Sequence, residues 1–183
     1  MNGSKAVGLK IYLENNGGRN MSNQQNKKYF WWINFIIYMS ILIYKVFIKA
    51  YGNYYRTPMK TRDYNLTLFK SIDRFTRAFN HYSFEVYFYN IYGNILAFMP
   101  IGFLLPMIYK KIKFWNITII GFLISLIIEI IQYISYLGTF DVDDLLLNTI
   151  GVAIGYGINK LSISTANKYK NKINLKAEKS TSS

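Results

Sequence analysis

The chain has no cysteine among its 183 residues. A disulfide framework, a thiolate metal site and a cysteine nucleophile are excluded together. Its one histidine, His81, cannot build a multi-histidine zinc site. Acidic side chains are scarce, 9 against 22 Lys and Arg, and the net charge is +13. No internal repeat is visible, and no small-residue cleavage site follows the first apolar run, which therefore reads as a retained anchor.

What the chain has in quantity is apolar surface. Hydrophobic residues make up 51% and aromatics 18%, gathered into long blocks and not spread at the spacing of a soluble core. Four blocks stand out: Tyr29 to Ile48, Val86 to Tyr109, Phe114 to Tyr136 and Leu145 to Ile163. Helices of about 20 residues, rising about 1.5 Å each, match a hydrocarbon core of about 30 Å. The expected fold is an all-α integral membrane protein, a bundle of about four transmembrane helices plus a short amphipathic interfacial helix. Tyr29, Trp31 and Trp32 are placed as an aromatic belt.

The flanks differ in composition. Residues 1–28 are polar, rich in Asn and Gly and without periodicity, and are expected to be disordered; Met21, just ahead of Lys27 and Lys28, offers an alternative start. Residues 164–183, with Lys168, Lys170, Lys172, Lys176 and Lys179, form a second expected disordered basic segment. It lacks interleaved aromatics for base stacking, so nucleic acid is excluded in favour of an anionic membrane leaflet. The transmembrane domain is bounded at residues 29–163.

Orientation follows from the basic residues. With the N-terminus inside, residues 1–28, the 110–113 turn and the chain from Lys160 onward place 14 of the 22 Lys and Arg in the cytoplasm, against seven in the outer 49–85 loop. The opposite orientation inverts that ratio against the positive-inside rule. Both termini are expected in the cytoplasm, and the basic-free FDVDD stretch on the outer face. Within the outer loop Leu68, Ile72, Phe75 and Phe79 recur at helical spacing opposite Lys70, Asp73, Arg74 and Arg77. That pattern fits a helix lying in the interface or one packed over the bundle.

Depth then groups the polar residues of the spans. Asn90 and Asn94 share one face in the outer half of span two. Glu129 lies about 12 Å below the outer end of span three, with Gln132 one turn above it, and Asn148 lies one turn beneath Asp144. Three helices thus contribute to one polar layer, where each such group is costly in lipid.

Each feature has two readings. Asp141, Asp143 and Asp144 either cap span four, since carboxylates bond the free N–H groups of a helix N-terminus, or hold a hard divalent cation such as Mg²⁺ or Ca²⁺. Asn90, Asn94, Gln132 and Asn148 either line a ligand pocket or hydrogen-bond helix to helix. Glu129 is the sharpest candidate, because a carboxylate inside a span is rare without a function. Gly151 and Gly155 form a GxxxG face for close helix approach. Pro100 is expected to kink span two, with Gly102 adding room, and Pro106 to help end it.

NIYGNILAFMPIGFLLP (90–106), Glu129 and Gln132 in EIIQ, and FDVDDLLLNTIGVAIGY (140–156) together resemble the VanZ-like family of small membrane proteins, over roughly residues 29–163. NLTLFKSI (65–72) is similar to a segment that often reads NLxPF in that family; Leu68 stands where proline is usual, and Gly138 where many members carry arginine. The resemblance implies a helical protein of the bacterial plasma membrane, in a family named for a member associated with resistance to the glycopeptide teicoplanin. It attaches no reaction to the chain.

Three functions fit these residues. The first is a resistance or envelope-homeostasis factor that binds a lipid-linked cell-wall component or the drug in an outward-facing polar pocket, with the 49–85 loop meeting phosphates. The second is an enzyme on a lipid or polyprenyl phosphate, with Glu129 as acid or base and the aspartates as metal ligands, although no nucleophile and base pair stands out by spacing. The third is a transporter using Glu129 as a proton site, which four spans without a repeat disfavour unless the chain dimerises. Membrane lipids are the expected partners, and self-association is left open.

Overall fold

The apolar segments become helices because lipid offers no partner to a free N–H or C=O, so each segment must satisfy its backbone internally. The computed structural model describes residues 24–48, 63–77 and 84–181. Helix α1 (Gln24–Phe47) ends in a π-helical turn over Tyr44–Ile48. Then come strand β1 (Tyr64–Asn65), helix α2 (Lys70–Arg77), helix α3 (Phe84–Ile108), helix α4 (Phe114–Ile134), strand β2 (Phe140–Asp141) and helix α5 (Val142–Thr181). His81, Phe79 and Met21 lie outside the described residues.

Among the described residues three helices are long and apolar enough to cross a membrane: α1, α3 over Asn90–Ile108, and α4. The chain is a mostly helical, multi-pass membrane protein. The fourth apolar block, 145–163, forms the first half of α5.

Two boundaries depart from the sequence expectation. Residues 24–28 belong to α1, and α5 continues to Thr181 through the basic tail that was expected to be disordered. Beyond Gly157 the chain has neither glycine nor proline, so no strong helix breaker interrupts α5, and the helix runs on although residues 160–175 are exposed. Helix α3 runs through Pro100 and ends two residues after Pro106.

Helices α3 and α5 lie parallel in close contact. A Cβ at Gly151 would collide with the Ile95 backbone, one at Gly155 with the backbone of Met99 and Phe103, and one at Gly102 with the backbone of Val152 and Tyr156. The GxxxG face therefore meets α3, main chain against main chain, as small residues permit in membranes. Val152 is fully buried, its side chain seated where a Cβ on Gly121 of α4 would stand. Phe98, Ile101, Leu105 and Ile108 on one face of α3 complete the core with Ile117 and Ile128 of α4. Helix α1 packs on the outside of this trio, antiparallel to α3. Its Trp32 ring meets Tyr109 edge-on at 5.9 Å, and its Tyr38 hydroxyl donates to the Ala97 carbonyl.

Gly157 has open space around its missing Cβ, unlike Gly151 and Gly155. Gly155→Ala is expected to destabilise the protein in detergent by about 1 to 3 kcal/mol, as overpacking does, and Gly157→Ala to be neutral or stabilising by up to about 1 kcal/mol. Thermal midpoints of the two variants check this; equal midpoints would show that the α3 and α5 backbones do not touch.

Candidate functional site

The acidic stretch is delivered by a tight exit from α4. Tyr136 adopts a left-handed conformation (φ 59°), the Leu137 amide donates to the Gln132 carbonyl at 3.0 Å, and the Tyr136 amide donates to that of Tyr133 at 3.5 Å. This paired closure ends a helix and reverses the chain, here without glycine at the left-handed position. Strand β2 then pairs in parallel with β1, Tyr64 opposite Phe140 and Asn65 opposite Asp141. This two-residue ladder, too short to leave an alternating pattern in the sequence, brings the NLTLF segment onto the aspartates.

Each aspartate has a separate task. Asp141 precedes α5 and accepts the Asp143 amide at 2.9 Å, the cap expected from sequence. Its carboxylate also accepts the Asn65 amide group at 3.0 Å and the Ser71 hydroxyl at 2.5 Å. Asp143, 0% exposed, caps a different helix. Its Oδ1 accepts the Phe69 amide at 2.5 Å, and its Oδ2 the amides of Ser71 at 2.7 Å and Ile72 at 3.3 Å. Those amides open α2, whose own cap position holds Phe69, in a left-handed conformation (φ 64°) and with no side-chain acceptor. Asp144 accepts the Asn94 amide group at 2.6 Å, tying α5 to α3.

Glu129, 3% exposed, accepts the Asp141 amide on Oε2 at 3.1 Å and lies within electrostatic reach of Asp144 and Asp141. Asn148 donates to Ser125 of α4 at 2.8 Å, and its Oδ1 is buried without a donor. Asn90 lies one turn from Asn94, its carbonyl accepting the Asn94 amide group at 3.4 Å. Gln132 contributes its main-chain carbonyl to the turn, while its side chain lies against Gly138. The structure thus joins Glu129, the three aspartates and Asn94 in one network, and sets Asn148 a turn deeper.

Asn65, Ser71 and Ser125 belong to the site although the sequence did not single them out as site residues. Ser125 had a signal, standing four residues before Glu129 on the same helix face. Asn65 and Ser71 acquire partners only through the β1 to β2 pairing.

The cation reading of the aspartates gains no support from the geometry of the described residues. Among the described residues no three His, Cys, Asp or Glu side chains are grouped to hold a metal ion. Their oxygens take N–H and O–H donors, Asp141 bonding the Ser71 hydroxyl and Asp143 the Ser71 amide. Nor does any Lys or Arg pair with these four carboxylates among the described residues; Arg77 is bound to Asp73 at 2.7 Å on its own helix.

Asp143 uses both oxygens as acceptors, so an amide there would direct an NH₂ at a backbone N–H. Asp143→Asn is expected to cost about 1 to 3 kcal/mol and to expose residues 63–77 to protease. Asp141→Asn keeps an acceptor for the Asp143 amide and can donate to the Ser71 hydroxyl, so its loss is smaller. Thermal midpoint and limited proteolysis rank the two; the reverse order would deny Asp143 its capping role.

Comparison with known proteins places this geometry. The VanZ/LLP1 family profile matches residues 35–163, from α1 through the apolar half of α5. A protein named Protein VanZ, from Enterococcus faecium, is 29% identical over 135 residues, covering 73% of this chain and 76% of that protein. No solved structure matches. The match takes in the glycine seam, Glu129 and all three aspartates, and the chain belongs to the VanZ/LLP1 family.

Proposed function

We propose that this chain contributes to glycopeptide resistance, of the teicoplanin type, by binding an amine- or hydroxyl-bearing ligand in a polar pocket at the outer membrane border. A lipid-linked cell-wall component and the drug itself both have that chemistry. The observation that carries the reading is a surplus of acceptors. Among the described residues one oxygen each of Glu129 and Asp144 accepts no hydrogen bond, and the Asn148 Oδ1 is buried without a donor. A buried acceptor such as the Asn148 Oδ1 is costly unless a donor arrives.

The proposal takes 145–163 as a fourth span. Support comes from the parallel α3 and α5 pair, where Gly151 meets Ile95, Gly155 meets Met99, and Asn159 donates to the Phe103 carbonyl at 2.9 Å. The two segments keep step over eight residues, so α5 occupies the depth of the α3 span. Lys27, Lys28, Lys110 and Lys160 gather at one end of the bundle and the carboxylates at the other. By the positive-inside rule the lysines face the cytoplasm and the acidic network faces out.

Topology is checked with cysteines, since the native chain has none. Thr139→Cys is expected to react with an impermeant thiol reagent on intact cells and Lys111→Cys only after permeabilisation. The opposite labelling would overturn the outward pocket.

For the site itself, Glu129→Gln and Asp144→Asn keep shape and remove charge. Each is expected to abolish protection against teicoplanin while immunoblots show normal protein levels. Full protection by both variants would leave the acidic border a structural device alone.

A further inference from the structure

At the end of the bundle away from the acidic network, α1, the turn after α3 and the middle of α5 enclose a cleft of about 940 Å³. We propose that this cleft binds the phosphate of one inner-leaflet phospholipid, preferring an anionic headgroup that also carries hydroxyls. It is a site separate from the outward pocket and does not depend on that pocket's ligand.

Lys27 and Lys28 of α1, Lys110 of the turn and Lys160 of α5 line the cleft. No carboxylate lines it, and none of these lysines has an ion pair among the described residues. Four lysines lining one concavity without a counter-charge among the described residues favour an anion there, and a phosphate supplies it. Lys160 is already steered by the Tyr156 ring, its Nζ 5.1 Å from the ring centre.

The remaining wall is suited to a lipid. Trp31, Pro106, Met107 and Ile163 give an apolar face for the start of an acyl chain, so the cleft is amphipathic in the way a headgroup and its tail require. Asn159, also on the cleft, is fully buried; its amide group donates to the Phe103 carbonyl and its Oδ1 has no donor. A headgroup hydroxyl is the missing donor. Phosphatidylglycerol combines these features, whereas phosphatidylcholine lacks both the net charge and the hydroxyls. Basic residues at this end also serve as orientation signals, which needs no bound lipid, and the test separates the two roles.

The full chain carrying Trp32→Phe and Trp115→Phe retains Trp31 as its one tryptophan and is reconstituted in nanodiscs. Bromine-labelled phosphatidylglycerol is expected to quench Trp31 at least twofold more than bromine-labelled phosphatidylcholine at equal mole fraction. Lys110→Gln with Lys160→Gln should remove that preference, and Lys168→Gln with Lys170→Gln on the tail should keep it. Equal quenching by both lipids, or a preference that follows the tail pair, would overturn the proposal. If the cleft variant does not fold, native mass spectrometry of the unaltered chain decides: one retained phosphatidylglycerol per chain supports the site, and none refutes it. Loss of the preference on adding inorganic phosphate would assign the site to free phosphate, and displacement by an equal amount of polyprenyl phosphate would assign it to that lipid; either result overturns the phospholipid assignment.

Discussion

The Asp143 carboxylate, enclosed at the head of α5, closes the first turn of α2 and thereby fixes one end of the bundle. A helix opening on Phe69 leaves its first amides without an acceptor from its own cap residue. An enclosed carboxylate is equally unfavourable by itself. Each resolves the other's deficit, since three N–H groups converge on two oxygens and the positive end of the α2 dipole meets a negative charge. Once α2 is held there, Ser71 and Asn65 fall within reach of Asp141, which in turn orders the first turn of α5. The NLTLF segment is therefore part of the bundle's end, with its position dictated by a residue more than 70 positions away in the chain.

Below that cap the placement of polar groups depends on how closely α3 and α5 approach. Gly102, Gly151 and Gly155 let two backbones touch, and a wider spacing would withdraw Asn94 from Asp144. Backbone contact also accounts for Val152, which fills the space facing Gly121 and brings α4 against the same seam. Glu129 and Ser125, on α4, reach Asp141 and Asn148 because of that convergence. A run of small residues in three helices thus sets the geometry of a polar network that contains none of them.

The sequence disclosed the helices and the layer of polar residues well, because both follow from local pattern. Apolar length gave the spans, the i and i+4 spacing put Asn90 and Asn94 on one face, and GxxxG announced the close contact. It disclosed the pairings poorly. Asp143 was legible as a cap but not as the cap of another helix, since nothing local says that Phe69 needs an acceptor from residue 143. The same holds for Asn65 and Asp141, joined through a parallel two-residue ladder too short to leave a period-2 pattern. Beyond residue 164 polar composition points to disorder, whereas without glycine or proline α5 runs on to Thr181.

The four carboxylates divide by what remains of their hydrogen-bonding capacity. Asp141 and Asp143 have both oxygens engaged by donors of the chain, which is the condition of groups that hold structure. Glu129 and Asp144 each present a second oxygen with no donor among the described residues, in a network where no Lys or Arg supplies a counter-charge. The basic side chains of α2 do not fill that role: Arg77 is committed to Asp73, and Lys70 and Arg74 are exposed. Charge is instead separated along the bundle, acids at the end where α5 begins and lysines where α3 ends. Among the described residues neither end holds side chains of the opposite sign to balance it, so hydrogen-bond acceptors are gathered at one end of the bundle and ammonium donors at the other.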